Sequence, residues 1–271
     1  LMTIIQTLNF LFFEFFLTFR QSNGMPGVPG LFNSEQSAGW KRVVDAVHAK
    51  GGIIFCQLWH AGRATIPQMT GSPAVCPSAS VWDSPTECYS HPPVGSTEPV
   101  PYANHPPIEM TVGHIKQTID DYCIAAKTAM DIGFDGVEIH CGNGYLPEQF
   151  LSSNINKRQD AYGGTLEKRC QFVFELMEQV AKTIGEHNLA IRLSPFGMFN
   201  QARGEQRVET WTHLCEGLKK TLPSLSYVSF IEPVCVHRLY LMVYANLPSV
   251  MNKSSALKRR ISSSKAGACW M

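Results

Sequence analysis

His140 and Asn143 stand three residues apart in the run His140-Cys141-Gly142-Asn143-Gly144-Tyr145. Across a glycine turn, both side chains can converge on one small acceptor. Two donors aimed at a carbonyl oxygen would draw electrons from a conjugated alkene and stabilise the enolate that forms as hydride adds at Cβ. Tyr145, on the same turn, carries a phenol that could then deliver a proton to Cα. The plainer reading is a structural histidine whose hydrogen bonds are satisfied locally.

Gln57 and Arg192 widen the set. An amide and a guanidinium are the donors that the pyrimidine edge of a flavin accepts, and a guanidinium there also holds the negative charge of a reduced ring. For Arg192 an ion pair with Glu138 or Glu232 remains the alternative.

These side chains can act together only if the fold brings them to one edge, and the surrounding pattern predicts that it does. Ser34 reads as an N-cap; Trp40, Val43, Val44 and Val47 follow the spacing of one buried helical face; Gly51-Gly52 ends the helix, and Ile53-Ile54-Phe55 follows as a buried strand. The same grammar recurs. Thr111 opens a helix carrying Ile115, Ile119, Tyr122 and Ala126, Gly133 closes it, and Gly136 to His140 is the strand. Thr165 opens a helix with Val173, Leu176, Met177, Val180 and Ile184, Gly185 closes it, and Leu189 to Leu193 is the strand. A helix through Trp211, Leu214, Cys215 and Leu218 leads to Tyr227 to Ile231. Strands alternating with amphipathic helices predict an α/β fold with a parallel sheet, in which sites lie at the carboxyl ends of the strands. Gln57, His140 and Arg192 all fall there. Between the first two units, residues 64–109 are rich in Pro, Ser and aromatic residues without helical period, the mark of a functional loop.

Composition excludes little: 44% hydrophobic and 17% charged residues with net charge +1 describe a globular chain without an obligate polyanion partner. The nine cysteines are scattered and contain no C-x-x-C pair, which suits free thiols in a reducing compartment, hence a cytoplasmic chain, better than disulfides or a zinc site. No metal site is expected, and no G-x-G-x-x-G follows a strand. The two ends differ from the rest. Residues 1–19 are almost continuously apolar, near the length of a membrane span, but Glu14 interrupts them and there is no basic start or cleavage site. They are expected as an extension, with a membrane anchor as the lesser alternative. Residues 234–271 carry six Lys or Arg and no Asp or Glu; Lys258-Arg259-Arg260 could be read as a nucleic-acid arm, but non-native tail sequence is preferred.

The motifs together resemble one family. Gly24 to Gly30, Phe55 to Arg63, Gly133 to Tyr145, Gln149-Phe150-Leu151, Asn154 to Arg158 with Asp160 and Tyr162-Gly163-Gly164, Glu167-Lys168-Arg169, Arg192 to Pro195 and Glu232-Pro233 appear in the order of the old yellow enzyme family, which includes fungal ene-reductases and plant oxophytodienoate reductases. The resemblance implies a partial TIM (β/α)8 barrel with about four βα units, strands three to six of the family barrel. It implies a flavoprotein that uses FMN, with NADPH or NADH as reductant visiting the substrate pocket, to reduce the C=C bond of an α,β-unsaturated carbonyl compound. By position, it implies that Gln57 and Arg192 bind the isoalloxazine, that His140 and Asn143 bind the substrate carbonyl, that Tyr145 is the proton donor, and that Trp59 and Phe199 shape the substrate pocket. Gln159 stands where the family usually has Thr, and Cys141 fills a position normally small.

The expected organisation is therefore an apolar extension over 1–23, an FMN-binding barrel portion over 24–233, and a basic tail over 234–271. A full family member has two more strands before Gly24, the first with a Pro-x-Thr flavin contact, and two after Pro233 whose loops cradle the FMN phosphate. Without them the expectation is a fragment that holds FMN weakly or not at all, a non-catalytic relic being the alternative to the enzyme. A glycosidase using Glu138 and Glu232 is the remaining reading, disfavoured because Glu138 should point inward below the strand end. The expected partner is a small enone or enal, with no nucleic acid.

Overall fold

The computed structural model describes residues 22–80, 82–91 and 97–231, and the strand backbones of residues 10–17, 232 and 240–245. Its centre is a six-stranded sheet: β1 (Phe10–Leu17), β2 (Ile53–Trp59), β3 (Gly136–Cys141), β4 (Leu189–Leu193), β5 (Tyr227–Glu232) and β6 (Tyr240–Ala245), hydrogen-bonded in chain order. Pairs β1 to β5 are parallel. Consecutive parallel strands lying side by side, joined by helices, form the wall of a (β/α)8 barrel rather than a doubly wound sheet, whose strand order reverses.

The four expected strands are present and adjacent, and the sheet continues beyond them on both sides. Phe10–Leu17, read from sequence as part of an extension, pairs in parallel with β2, from Phe10 opposite Ile53 to Leu17 opposite Trp59, with one irregularity between Phe13 and Phe16. This apolar run, expected from composition as an extension with a membrane anchor as the lesser alternative, thus takes part in the sheet through its backbone. Among the described residues no helix is long and apolar enough to cross a membrane. On the far side, β6 runs antiparallel to β5, Tyr240 opposite Glu232 and Ala245 opposite Tyr227, so this strand returns as a hairpin partner rather than as another βα unit. Lys258-Arg259-Arg260 lie outside the described residues.

The helices follow their sequence signals closely. Helix α1 (Ser34–His48) is capped by Asn33, one residue before the expected Ser34, because the Asn33 side chain accepts from the Gln36 amide. Thr111 and Thr165 cap α2 (Val112–Asp131) and α4 (Leu166–Ile184) by accepting from the His114 and Lys168 amides. Gly133 and Gly185 end these helices at φ 103° and 85°. Helix α5 (Arg207–Thr221) completes the layer. A six-residue helix, α3 (Leu146–Leu151), has no apolar periodicity to announce it and starts directly after the β3 turn.

Strand alternation then decides which residues meet. Ile54, Cys56 and Leu58, Val137, Ile139 and Cys141, and Leu189, Ile191 and Leu193 all face the helices and join Val44, Ile119, Val173, Leu176 and Leu214 in the main core. Burial of such side chains contributes about 1.5–3 kcal/mol each. The opposite face carries Ile53, Phe55, Ala190 and Tyr227 in a small deep cluster. Since the side-chain period is two, Gln57, Glu138, His140, Arg192 and Ser229 share that second face.

Candidate active site

The inner face becomes more polar towards the carboxyl ends of the strands. Gln57 is opposite Glu138, and one pleat further His140 is opposite Arg192 and Arg192 opposite Ser229. All five are buried. Glu138 sits two residues below His140 on the same face, as expected, and its carboxylate accepts from Gln57 Nε2. Tyr227, hydrogen-bonded to Glu138, is pushed well above the usual phenol range by burial and by that carboxylate.

The Glu138 bond fixes the Gln57 amide. Its nitrogen is committed to the carboxylate, while the buried Oε1 has no partner among the described residues. A buried acceptor left in this way costs about 1–3 kcal/mol until a donor arrives. An isoalloxazine pyrimidine edge presents an N–H as well as carbonyl oxygens, so the orphaned Gln57 oxygen and the neighbouring Arg192 guanidinium fit FMN's ring. Both belong to β-strands, which hold them rigidly.

His140 is 1% exposed. Burial, and then the Arg192 charge, lower its pKa to about 3, against a hydrogen bond with the Gly142 backbone that acts the other way. The imidazole is therefore neutral near pH 7 and offers one N–H as a donor without carrying charge. Its ring lies 5.5 Å from that of Tyr145, which packs edge-on against Trp59 at 4.9 Å. Tyr145 is pushed above the ordinary phenol value by burial, while a hydrogen bond with Asn200 pulls it down. A phenol retained in its neutral form keeps its proton available.

The turn joining His140 to Tyr145 is held in an unusual conformation. Asn143 and Gly144 both adopt left-handed backbone, φ 54° and 68°. At Gly144 glycine is also required by space, because a Cβ would lie 2.4 Å from the Phe199 carbonyl oxygen. The Asn143 amide donates to Ser194 Oγ at 2.7 Å, and its carbonyl accepts from Asn200 Nδ2 at 2.9 Å. Thus the loop after β4 braces the loop after β3.

Gln149 braces the β2 end in the same way. Its Nε2 donates to the carbonyls of Ala61 (3.1 Å) and Gly144 (2.8 Å), and its Oε1 accepts from the Arg63 amide (3.1 Å). Gly62, at φ 60°, lets this amide approach. Arg63 in turn stacks over Trp82 at 4.3 Å and donates to the Asn200 carbonyl at 3.2 Å, tying Trp82 and the loop after β4 to the β2 end.

Of the residues expected from sequence, the structure gathers Gln57, Trp59, His140, Tyr145 and Arg192 at the carboxyl ends of three adjacent strands, with half-buried Asn143 in the intervening turn. Phe199 is on the adjoining loop with its side chain 60% exposed, outside the Trp59-Tyr145 cluster. Sequence reasoning missed Glu148, Ser194 and Asn200 as functional candidates, because their partners are remote in sequence or lie on the unannounced helix α3.

Fold and site together define a partial (β/α)8 barrel whose strand ends carry buried polar and aromatic groups of the types that hold a flavin ring. The chain belongs to the NADH:flavin oxidoreductase / NADH oxidase family, whose sequence profile matches residues 9–254, on both sides of the 24–233 stretch that carried the resemblance. It is similar to flavin oxidoreductase hxnT of Emericella nidulans, 43% identical over 217 residues, or 79% of this chain and 53% of that protein. It is also similar to 12-oxophytodienoate reductase 2 of Arabidopsis thaliana, 37% identical over 215 residues and covering 78% of this chain and 54% of that one. The chain thus spans about half the length of these curated relatives. Among solved structures, morphinone reductase superposes with a TM-score of 0.77 at 33% identity, covering 87% of this chain and 62% of its own. The old yellow enzyme homologue of Zymomonas mobilis gives 0.74 at 31%, covering 82% and 59%. Recognition of the old yellow enzyme family, and of a partial barrel, is borne out.

Proposed function

We propose that this chain carries the substrate-reducing edge of an FMN-dependent NAD(P)H oxidoreductase that saturates the C=C bond of small enones or enals. The observation that supports it best is the meeting of a neutral, buried His140, the phenol of Tyr145 and the orphaned Gln57 oxygen on one face of one sheet. FMN, when bound, supplies hydride to Cβ and is itself recharged by NADPH or NADH.

The chain's own residues do the rest. Gln57 and Arg192 would hold the ring, Arg192 bringing a positive charge to its pyrimidine edge. His140 and Asn143 donate to the substrate carbonyl oxygen, where negative charge develops as the enolate forms. Tyr145 holds the proton that Cα requires, and Trp59, packed against the phenol, fixes its position and excludes water. Phe199, exposed on the β4 loop outside the Trp59-Tyr145 cluster, takes no part in the proposed pocket. The expected setting is cytoplasmic, in keeping with cysteines that are free among the described residues, with a small-molecule partner and no nucleic acid.

The test is FMN titration of the purified chain, followed by cyclohex-2-enone reduction with NADPH. Tyr145→Phe should leave FMN affinity unchanged and slow Cα protonation by about 100-fold or more, the usual weight of a positioned acid. A chain that takes up no FMN would remove the enzymatic reading and leave the non-catalytic one.

A further inference from the structure

Glu148 is 1% exposed, and it has no part in holding the ring or the substrate. Its Oε2 accepts from the Gly144 amide at 2.7 Å and from the Ser194 hydroxyl at 2.8 Å. Ser194 Oγ, having given its proton to Glu148, accepts from the Asn143 amide at 2.7 Å. Two consecutive N–H groups of the left-handed Asn143-Gly144 turn therefore end on one carboxyl oxygen, one directly and one through a hydroxyl. A non-glycine residue at φ 54° persists only where its surroundings over-determine it.

A packing role alone does not require a carboxyl here. Burial pushes Glu148 up to about 7, against the hydrogen bonds from Gly144 and Ser194 and the charge of Arg207. Cys141 also faces the group, and Glu205, Arg207, Thr210 and Trp211 border it on the helix α5 side. An apolar side chain of the same shape would fill the space without that desolvation cost.

We propose that Glu148 is a positioning residue for Asn143: through Ser194 and Gly144 it holds the turn from which Asn143 reaches the substrate carbonyl. The inference rests on the reading of Asn143 as a carbonyl donor, and it places a functional requirement on helix α3 and on the β4 loop, neither of which bears a group that touches substrate.

The test uses the full 271-residue chain with Glu148→Ala, Glu148→Gln and Ser194→Ala. Amide hydrogen exchange of residues 142–146 is followed beside that of α4, and cyclohex-2-enone affinity is measured by calorimetry. Glu148→Ala should lower protection of the Asn143 and Gly144 amides by about tenfold or more, as the turn loses its buried acceptor, with α4 unchanged. Ser194→Ala should affect Asn143 alone, and Glu148→Gln, which keeps an acceptor oxygen, should restore both. Enone affinity should fall about tenfold in Glu148→Ala but not when the same change is made on Asn143→Ala, since a group acting through Asn143 has nothing left to position. Wild-type protection in Glu148→Ala, failure of Glu148→Gln to restore it, or an undiminished affinity loss on the Asn143→Ala background would each overturn the proposal. If α4 also loses protection in Glu148→Ala, Ser194→Ala decides: unchanged exchange at Asn143 refutes the relay. A wild-type chain that binds no cyclohex-2-enone would instead count against the proposed function, and the exchange comparison would still judge the positioning.

Discussion

His140→Ala gives the most direct measure of the site. The imidazole is buried, neutral near pH 7 because burial and the Arg192 charge lower its pKa to about 3, and adjacent to Tyr145. On the proposed reading it would contribute one uncharged N–H to an oxygen that becomes anionic only as hydride arrives. Losing one of two such donors costs about 2.7–4 kcal/mol of transition-state stabilisation, or about 100- to 1000-fold in rate. The ground-state carbonyl is a weaker acceptor than the enolate, so enone affinity should fall much less than turnover. Affinity for a phenolate ligand, which mimics the oxyanion, should follow the larger loss. Stopped-flow separates the steps: flavin reduction by NADPH should stay within a few-fold of wild type, while reoxidation by cyclohex-2-enone slows. Substituting Gln for His140 tests whether any neutral donor suffices, and should recover part of the rate. A variant with Ala at this position and wild-type reoxidation would refute the carbonyl-binding role.

Other consequences concern stability. The Glu148 carboxyl titrates near 7 when folded and near the ordinary 4.5 when unfolded, so the folded state holds the extra proton and stability falls as pH rises between these values. At about 1.36 kcal/mol per pKa unit, roughly 3 kcal/mol is lost by pH 8; urea unfolding should show this loss in wild type and not in Glu148→Gln. His60 and His140, lowered to about 3 chiefly by burial, act in the opposite direction. Their neutral forms stabilise the fold above about 6.5, and this is lost progressively as pH falls towards 3, which histidine NMR titration should report as two rings that fail to protonate at pH 5. Gly144→Ala places a methyl 2.4 Å from the Phe199 carbonyl oxygen at φ 68°, so it should destabilise by at least about 1–3 kcal/mol in chemical denaturation. Gln57→Leu removes the orphaned acceptor but also the donor to the buried Glu138 carboxylate, so it should weaken FMN uptake and lower the melting temperature of the FMN-free chain.

The amino-acid chain announced the strand segments Ile53–Phe55, Gly136–His140, Leu189–Leu193 and Tyr227–Ile231, and the amphipathic helix before each, because capping residues, terminating glycines and apolar periodicity are local signals; the folded strands run on to Trp59, Cys141 and Glu232 in the first, second and last. It also determined which face each strand residue occupies, since alternation places Gln57, Glu138, His140 and Arg192 together once the strands are adjacent. Three things were left to tertiary structure. The aromatic run Phe10–Leu17 reads as an anchor or extension from composition, and becomes a strand only when the apolar edge of β2 accepts its backbone. The antiparallel strand Tyr240–Ala245 lies in a segment whose charge pattern announces no barrel unit, and its partner is what decides its direction. Helix α3 carries Glu148 and Gln149, whose roles depend on amides and carbonyls of the β2 and β3 loops and on a hydroxyl of the β4 loop. Side-chain bonds to backbone groups tens of residues away leave no periodicity in the chain. The candidate reacting groups could be picked out by type and spacing, whereas the groups that hold them are defined only by which loops the carboxyl ends of the strands bring into contact.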